Sequence, residues 1–356
     1  MSPRGPERLS TPHGELRFPC FLPDATRGVV RAASSADLSS VGIEALMVNA
    51  LHLGESPGTT VVKSAGGIHP FIGWSGPVFS DSGGYQVYSL IRRSKSHGSI
   101  TADGFTYRAA TRRVGLTARK AIRRQWDLGA DVLFCLDHCT HPEDPAEAQR
   151  VSVENTIRWA REGKEELAEL MERSPRAQRP LLFAIVQGGA DLELRRRCIG
   201  ELEPMGFDGY GFGGWPVDRK GELEGAVFFV AERLAGYPLH ALGIGSPANV
   251  IAAARAGYGT FDCVIPTRDA RHGRLYLRRA GGEGFTSISA RDERLIRDFG
   301  PVDPSCDCPC CRGVSRAYLN HLFALEDHAA YRLATLHNLR LYTRIVEELR
   351  SGRGTA

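Results

Sequence analysis

Eight short apolar runs punctuate this chain, at residues 18–22, 45–49, 77–80, 131–136, 181–186, 206–212, 239–244 and 260–265. Each has the length of a buried strand, and none is long enough to span a bilayer. The clearest helix-prone stretches lie between them, at 117–128, 145–172, 191–203, 221–234 and 247–256. The last opens on Pro247 behind Ser246, a first-turn proline after a capping hydroxyl. Strand–helix alternation of this kind predicts a parallel sheet. About eight such units in roughly 250 residues match the size of a (β/α)8 TIM barrel. An open, doubly wound sheet is the alternative, but no GxGxxG follows a first strand.

The residues that end these runs share a character. The run at 77–80 passes into Asp81-Ser82-Gly83-Gly84-Tyr85-Gln86 and that at 131–136 into Asp137-His138-Cys139. The run at 181–186 passes into Gln187-Gly188-Gly189, that at 206–212 into Gly213-Gly214, and that at 239–244 into Gly245-Ser246. The last run carries Asp262 within it, and Pro266, Arg268, Arg271 and Arg274 follow. A carboxylate inside an apolar strand is costly unless it is paired or used. Barrel active sites collect at the carboxyl ends of the strands, where glycines let backbone amides approach a ligand. One such motif alone reads as a turn; several converging at one end of one barrel read as a site.

Beyond residue 275 the character changes. Stretches 274–279 and 284–288 read as a hairpin across Ala280-Gly281-Gly282-Glu283, and a long helical stretch at 316–350 ends the chain. This divides the protein into a catalytic barrel at 1–275 and a hairpin plus zinc-binding helical subdomain at 276–356. The nine cysteines are odd in number, five scattered and four clustered, which suits a cytoplasmic chain with buried thiols rather than a disulfide framework. Cys306, Cys308 and Cys311 form a CxCxxC whose thiolates can share one tetrahedral Zn2+. His337 is the first choice of fourth ligand, with His321 and His328 as rivals and Cys310 as a spare. A closed three-Cys, one-His set makes the ion structural. The first dozen residues and the tail at 351–356 are expected to be disordered, and the N-terminus lacks the apolar core of a signal peptide. The formal charge of +4 admits a nucleic-acid partner at a local basic patch without announcing one.

Asp81, Asp137 and Asp262 are candidates for base recognition, proton transfer and nucleophilic attack. A carboxylate matches the side-by-side N–H donors of a guanine-like edge. A carboxylate can also attack an anomeric carbon to give a glycosyl ester, while a second carboxylic acid handles the proton of the base. Tyr85 can stack on a flat ring. Arg92, Arg93, Lys95, Arg268, Arg271 and Arg274 can hold a polynucleotide backbone. Arg195-Arg196-Arg197 lies on a helix away from the strand ends and reads as a solvated face.

These motifs resemble those of the tRNA-guanine transglycosylases. The resemblance rests on Ser80-Asp81-Ser82-Gly83-Gly84-Tyr85-Gln86-Val87, Ile185-Val186-Gln187-Gly188-Gly189, Gly213-Gly214, Leu242-Gly243-Ile244-Gly245-Ser246-Pro247, Phe261-Asp262-Cys263-Val264-Ile265-Pro266-Thr267-Arg268, and the CxCxxC with His337-Asn338-Leu339-Arg340. It covers most of the chain. It implies a (β/α)8 barrel with a C-terminal zinc-binding subdomain, and a homodimer formed through the zinc-bearing region. It implies exchange of the wobble guanine in a tRNA anticodon loop for a 7-deazaguanine base, without backbone cleavage. By the same resemblance, Asp262 is the nucleophile that holds the tRNA covalently, and Asp81 is the proton acceptor. Asp137, Gln187, Gly214 and Ser82 bind the base, and Tyr85 and Leu242 are the two sides of its stacking slot. Arg268 and Arg271 match residues near the anticodon.

The chain departs from the family pattern in three places. Leu136-Asp137-His138-Cys139 stands where many members read FDEC, and Asn49-Ala50-Leu51-His52-Leu53 where they read NTYHL. Gly213-Gly214-Trp215-Pro216-Val217-Asp218-Arg219 stands where many read GGLAVGE. These positions flank the family's base pocket. A pocket for an aminomethyl cation disfavours Arg219, so the departures imply an incoming base that is neutral at its 7-substituent or differs from the usual bacterial one. Two other functions are compatible with the sequence: the same chemistry on DNA, and a non-catalytic tRNA-binding partner subunit. Retention of Asp81, Asp137 and Asp262 argues against the last.

Overall fold

The computed structural model describes residues 5–109, 112–174, 176–279 and 284–352. Eight parallel strands make one sheet: β1 (Cys20–Pro23), β2 (Leu46–Asn49), β3 (Val78–Asp81), β4 (Val132–Phe134), β5 (Leu181–Val186), β6 (Gly209–Phe212), β7 (Leu239–Ala241) and β8 (Thr260–Cys263). Sequence neighbours are sheet neighbours, and β8 returns to pair with β1. A parallel bridge between Asp24 and Met47 links the β1 end to β2, where the Ala25 amide donates to the Met47 carbonyl at 2.7 Å. The sheet therefore closes as the α/β barrel that the alternation predicts. Every strand lies within one residue of a predicted run. Three of the predicted helices start on side-chain caps. Thr117, Asp191 and Ser246 accept backbone amides at the heads of Ala118–Leu128, Leu192–Leu202 and Pro247–Ala256.

Side chains alternate along a strand, so every second residue enters the barrel. Leu22, Met47, Phe79, Val132, Phe134, Phe183 and Ile185 pack together inside. Their neighbours Leu46, Val48, Val78, Leu133, Leu182 and Ala184 belong to the outer cluster beneath the helices. Parity then decides which functional groups face the lumen. Asp81 stands two residues beyond Phe79, and Asp262 two beyond Thr260.

Three elements differ from the sequence reading. The N-terminal dozen is not disordered where it is described: Arg8–Thr11 and Gly14–Arg17 form an antiparallel hairpin. Its Leu9 and Leu16 join the barrel's inner cluster and close the floor. Gly98–Thr101, Gly104–Ala109 and Arg112–Leu116 form a three-stranded antiparallel insert after β3. Its Phe105, Tyr107 and Leu116 are buried against Tyr88 and Trp159. The stretch 316–350 is two helices, Arg316–Ala324 and His328–Arg350, rather than one. Glu326 adopts φ +54, which an α-helix forbids, and Asp327 caps the second helix by accepting the Ala329 amide at 2.7 Å. The hairpin Arg274–Arg278/Phe285–Ser289 is present; its connection at 280–283 lies outside the described residues, as does the tail at 353–356.

The terminal helix packs on the barrel. Tyr342 stacks at a tilt on Phe21 of β1 with centroids 4.6 Å apart, and its hydroxyl donates to the Gly245 carbonyl. The Thr343 hydroxyl donates to the Val41 carbonyl at 2.7 Å. Among the described residues no helix is long and apolar enough to cross a membrane.

Candidate active site

β3 ends at Asp81, β4 runs on to Asp137, and β8 holds Asp262, so three carboxylates gather at the carboxyl mouth of the barrel. Asp81 accepts the Asn49 side-chain amide at 2.7 Å across the β2–β3 register. Burial, reinforced by the charges of Asp137 and Asp262, pushes its carboxyl up to about 7 despite backbone hydrogen bonds from Gly83 and Ser82. The turn that follows needs glycine. Gly83 has φ +88, and a Cβ there would lie 2.3 Å from that of Leu51. Ser82 is buried, and its hydroxyl accepts the Gly84 amide at 3.3 Å.

Asp137 is pushed up to about 6 by burial, against the pull of the Gln187 amide, which donates to it at 2.6 Å. The other end of that amide, Gln187 Oε1, is buried without a hydrogen-bond partner among the described residues. Gly214, at φ +91, borders the same atom: a Cβ there would come within 3.4 Å of Gln187 Oε1. An orphaned acceptor beside a protonatable carboxyl is a polar edge waiting for a partner. Tyr85 opens the helix Gly84–Arg93 with its ring exposed, and Leu242 is half-buried just past β7, packed on the inner cluster. A cavity of about 320 Å³ lies beside Tyr85, between Arg92, His141 and Trp215.

Asp262 is held differently. Its Oδ1 lies 3.0 Å from His240 Nε2 and 3.2 Å from the Gly243 amide, with the side chain 20% exposed. His240 is fully buried in β7, and its Nδ1 meets Thr260 Oγ1 at 2.8 Å. Neither His240 nor Asn49 is among the sequence-derived candidates. The strand periodicity contained the signal, because His240 is an inward-facing polar residue in register with Thr260.

Arg195 corrects the solvated-face reading of 195–197. It is fully buried and stacked over Phe212 at 4.1 Å. Its guanidinium donates to the carbonyls of Val186 at 2.5 Å, Gly189 at 3.0 Å and Gly213 at 3.0 Å. It thereby ties together the loops that carry Gln187 and Gly214. Burial lowers it to about 10, still far above neutrality. Arg196 and Arg197 do sit at the surface, paired with Glu193 and Glu154.

The helix Ile265–Arg271 follows β8. Arg268 is half-exposed and pairs with Asp269 at 3.1 Å, while Arg271 donates to the Thr267 carbonyl at 2.8 Å. Alongside runs a groove of about 780 Å³ that also meets Arg255, Arg274 and Arg278. The departures from the family pattern divide between surface and interior. Arg219 is 91% exposed and pairs with Glu143 at 2.9 Å. His138 is buried, accepts the Asn155 amide on Nδ1 at 3.1 Å, and lies against Trp159. Burial lowers it to about 4, so it is neutral at physiological pH. Trp215 meets His141 edge-on at 5.0 Å.

Away from the mouth, Cys306, Cys308, Cys311 and His337 bring their ligand atoms within 4.8 Å of one another, a set that can hold a metal ion. The rivals His321 and His328 are not in this cluster. His337 Nε2 donates to the Tyr276 carbonyl at 2.8 Å, which leaves Nδ1 toward Cys311 at 3.2 Å and Cys308 at 3.8 Å. Next to it, Asn338 bonds the carbonyls of Pro266 and Arg274 at 3.0 Å each and takes the Tyr276 amide at 3.0 Å. The metal-site helix thus grips the segment that follows Asp262. A second group, His13, His69 and Asp131, lies at the opposite, amino end of β4. Its rings stack at 3.5 Å and bond separate oxygens of Asp131, a hydrogen-bonded clamp on the floor rather than a converging ion cage.

A closed parallel barrel with carboxylates, an orphaned amide and glycine turns at its carboxyl mouth defines a barrel enzyme. A family model described as queuine tRNA-ribosyltransferase matches residues 7–352. A queuine tRNA-ribosyltransferase of Methylacidiphilum infernorum is 38% identical over 97% of this chain and 90% of its own length. One from Thioalkalivibrio sulfidiphilus is 39% identical over 96% and 89%, and one from a Psychrobacter species 36% over 95% and 86%. The chain belongs to the queuine tRNA-ribosyltransferase family, and is accordingly an enzyme of the pentosyltransferase class.

Proposed function

We propose that the chain exchanges the wobble guanine of tRNA for a 7-deazaguanine base through a covalent ester between Asp262 and the ribose. The observation that carries this reading is the division of labour among three neighbouring carboxylates. Asp81, raised to about 7, can give and take a proton near neutrality. Asp137, with Gln187 beside it, offers a donor–acceptor edge for the base. Asp262 has one oxygen anchored and the other without a hydrogen bond among the described residues. In the first step Asp262 bonds to C1′ as the C1′–N9 bond breaks, and the departing guanine takes a proton from Asp81. In the second the incoming base loses its N9 proton to Asp81, bonds to C1′, and returns the electron pair to Asp262.

Tyr85 and Leu242 are assigned to the stacking slot, with Ser82 and Gly214 shaping the base site. Arg268 borders the basic groove, whose size and charge suit the backbone of an anticodon loop, and Arg271 is assigned to the anticodon from the end of the same helix. Cys306, Cys308, Cys311 and His337 would hold one structural Zn2+, whose soft donor set and tied imidazole fit that ion. Bound there, the ion would cross-link the 306–311 loop to the terminal helix. Ile296, Phe299, Tyr318 and Leu325 are large apolar residues exposed on adjacent elements of the same region, which supports a homodimer through it. The barrel at 1–275 and the zinc-binding part at 276–356 are the units of this reading, and the cytoplasm is its site of action. The outward, paired Arg219 removes the charge argument about the 7-substituent, so the incoming base is to be measured by competition between nitrile-bearing and aminomethyl-bearing bases.

Incubation with labelled guanine tests the function. Label entering tRNA supports it. Label entering DNA alone transfers the chemistry to another polymer, and label in neither leaves a non-catalytic partner.

A further inference from the structure

We propose that His240 and the Gly243 amide form a two-point clamp on Asp262 Oδ1, which makes Oδ2 the attacking atom and stabilises the carboxylate when it leaves the ribose. This rests on the reading of Asp262 as nucleophile. The geometry assigns the oxygens. Oδ1 takes both contacts, from His240 Nε2 at 3.0 Å and the Gly243 amide at 3.2 Å. A nucleophilic oxygen needs a free lone pair directed at its target, and Oδ2 is the oxygen on which no hydrogen bond falls among the described residues.

The direction of the hydrogen bonds follows from the chemistry of the partners. An ionised carboxylate only accepts, so His240 Nε2 carries the hydrogen. In the neutral tautomer with its hydrogen on Nε2, Nδ1 accepts, and the Thr260 hydroxyl at 2.8 Å is placed to donate to it. The other acceptor open to Thr260, the Leu239 carbonyl, is farther at 3.4 Å. Thr260, His240 and Asp262 thus form a one-way relay of hydrogen bonds, fixed by the β7–β8 register that sets His240 beside Thr260. The imidazole is fully buried, with ring centroids 5.0 Å from Phe134 and 5.9 Å from Phe79. It cannot swing away, and Gly243, at φ +72, aims its amide at the same atom.

The clamp acts in both half-reactions. As Oδ2 bonds to C1′ and the C1′–N9 pair leaves with guanine, Oδ1 becomes the carbonyl oxygen of the ester and keeps both donors. As N9 of the incoming base bonds to C1′, the C1′–Oδ2 pair returns to Asp262, and the charge that reappears on the carboxylate is met by donors already in position. His240 is therefore a positioning residue for the attack and an electrostatic one for the release.

His240→Phe, His240→Gln and Thr260→Val test this with labelled guanine and quenched trapping of the enzyme–tRNA adduct. The clamp predicts that His240→Phe lowers kcat by about 10–100-fold, leaves the KM for tRNA near that of the parent, and raises the trapped fraction because release slows. His240→Gln, whose amide restores a donor, recovers part of the loss. Thr260→Val keeps the strand's shape, lowers kcat several-fold, and decides the matter if the His240 variants do not fold. Parent-like kcat and adduct fraction in His240→Phe overturn the clamp, as does a Gln variant no better than Phe. If the parent enzyme forms no adduct and Asp262→Asn still exchanges base, the nucleophile reading itself has failed. An adduct on Asp262 with an indifferent His240 removes only the clamp.

Discussion

Strand β4 is flanked by two aspartates, Asp131 directly before it and Asp137 three residues after it, and the two are treated in opposite ways. Asp131, on the floor, accepts three hydrogen bonds, from His13, His69 and the Val78 amide, at 2.7–3.0 Å. It is fully buried, and those bonds outweigh burial and hold its carboxyl below the ordinary value. Asp137, at the mouth, has one side-chain partner among the described residues, Gln187, and burial pushes it up to about 6. Asp81 beside it rises to about 7. A satisfied carboxylate contributes stability, whereas an under-satisfied one stores a readiness to bind or to move a proton. The floor is built to stay and the mouth to react.

The largest expected effect comes from breaking the mouth. Asp81→Asn is expected to lower kcat by 10²–10⁴-fold, the usual share of a proton-transferring group, and to abolish a pH limb near 7 in the parent's rate profile. The same change is expected to stabilise the fold. A carboxyl raised from 3.8 to about 7 on folding binds its proton more tightly in the folded state. Stability therefore falls as pH rises through that window. Denaturant melts at pH 8 should show Asp81→Asn more stable than the parent by about 2 kcal/mol, the advantage shrinking toward pH 4. Asp131→Ala should do the reverse. It strands two imidazoles and an amide, costing about 3 kcal/mol of stability, while the folded enzyme keeps its kcat. Its sign with pH is opposite, since a lowered carboxyl contributes stability that is lost on acidification below 3.8. A smaller effect is expected at Asp137→Asn, a rise in base KM of about 10-fold with a melting temperature near the parent's. The smallest is at Arg196→Ala, which should change neither. Arg195→Met, one residue away, should weaken base binding by loosening the Gln187 and Gly214 loops.

Much of this was legible in the sequence because barrel strands are short, apolar and punctuated. All eight strands, the five clearest helices and the three aspartates follow from that pattern. What escaped has physical causes. The hairpin at 8–17 has only Leu9 and Leu16 to bury, too few to register as a core element, although they plug the barrel. The insert at 98–116 did alternate, through Ile100, Phe105, Tyr107, Val114 and Leu116, but no barrel unit calls for it. Arg195 was misread because a basic run looks solvated in one dimension; only the fold reveals that one of three arginines turns inward to meet three carbonyls. His240 lay hidden in an apolar run whose partner, Asp262, comes from the next strand. His337 was already preferred to His321 and His328; what escaped was the break at Glu326 that splits the terminal stretch into two helices.

In the proposed reaction the carboxylate held at one oxygen, Asp262, is the group that takes the ribose. Quenching the enzyme with substrate tRNA, digesting both polymers and weighing the peptides tests it most directly. A nucleoside remnant is expected on the peptide that contains Asp262, and none in Asp262→Asn. A remnant on Asp81 or Asp137, or one that survives in Asp262→Asn, would contradict it.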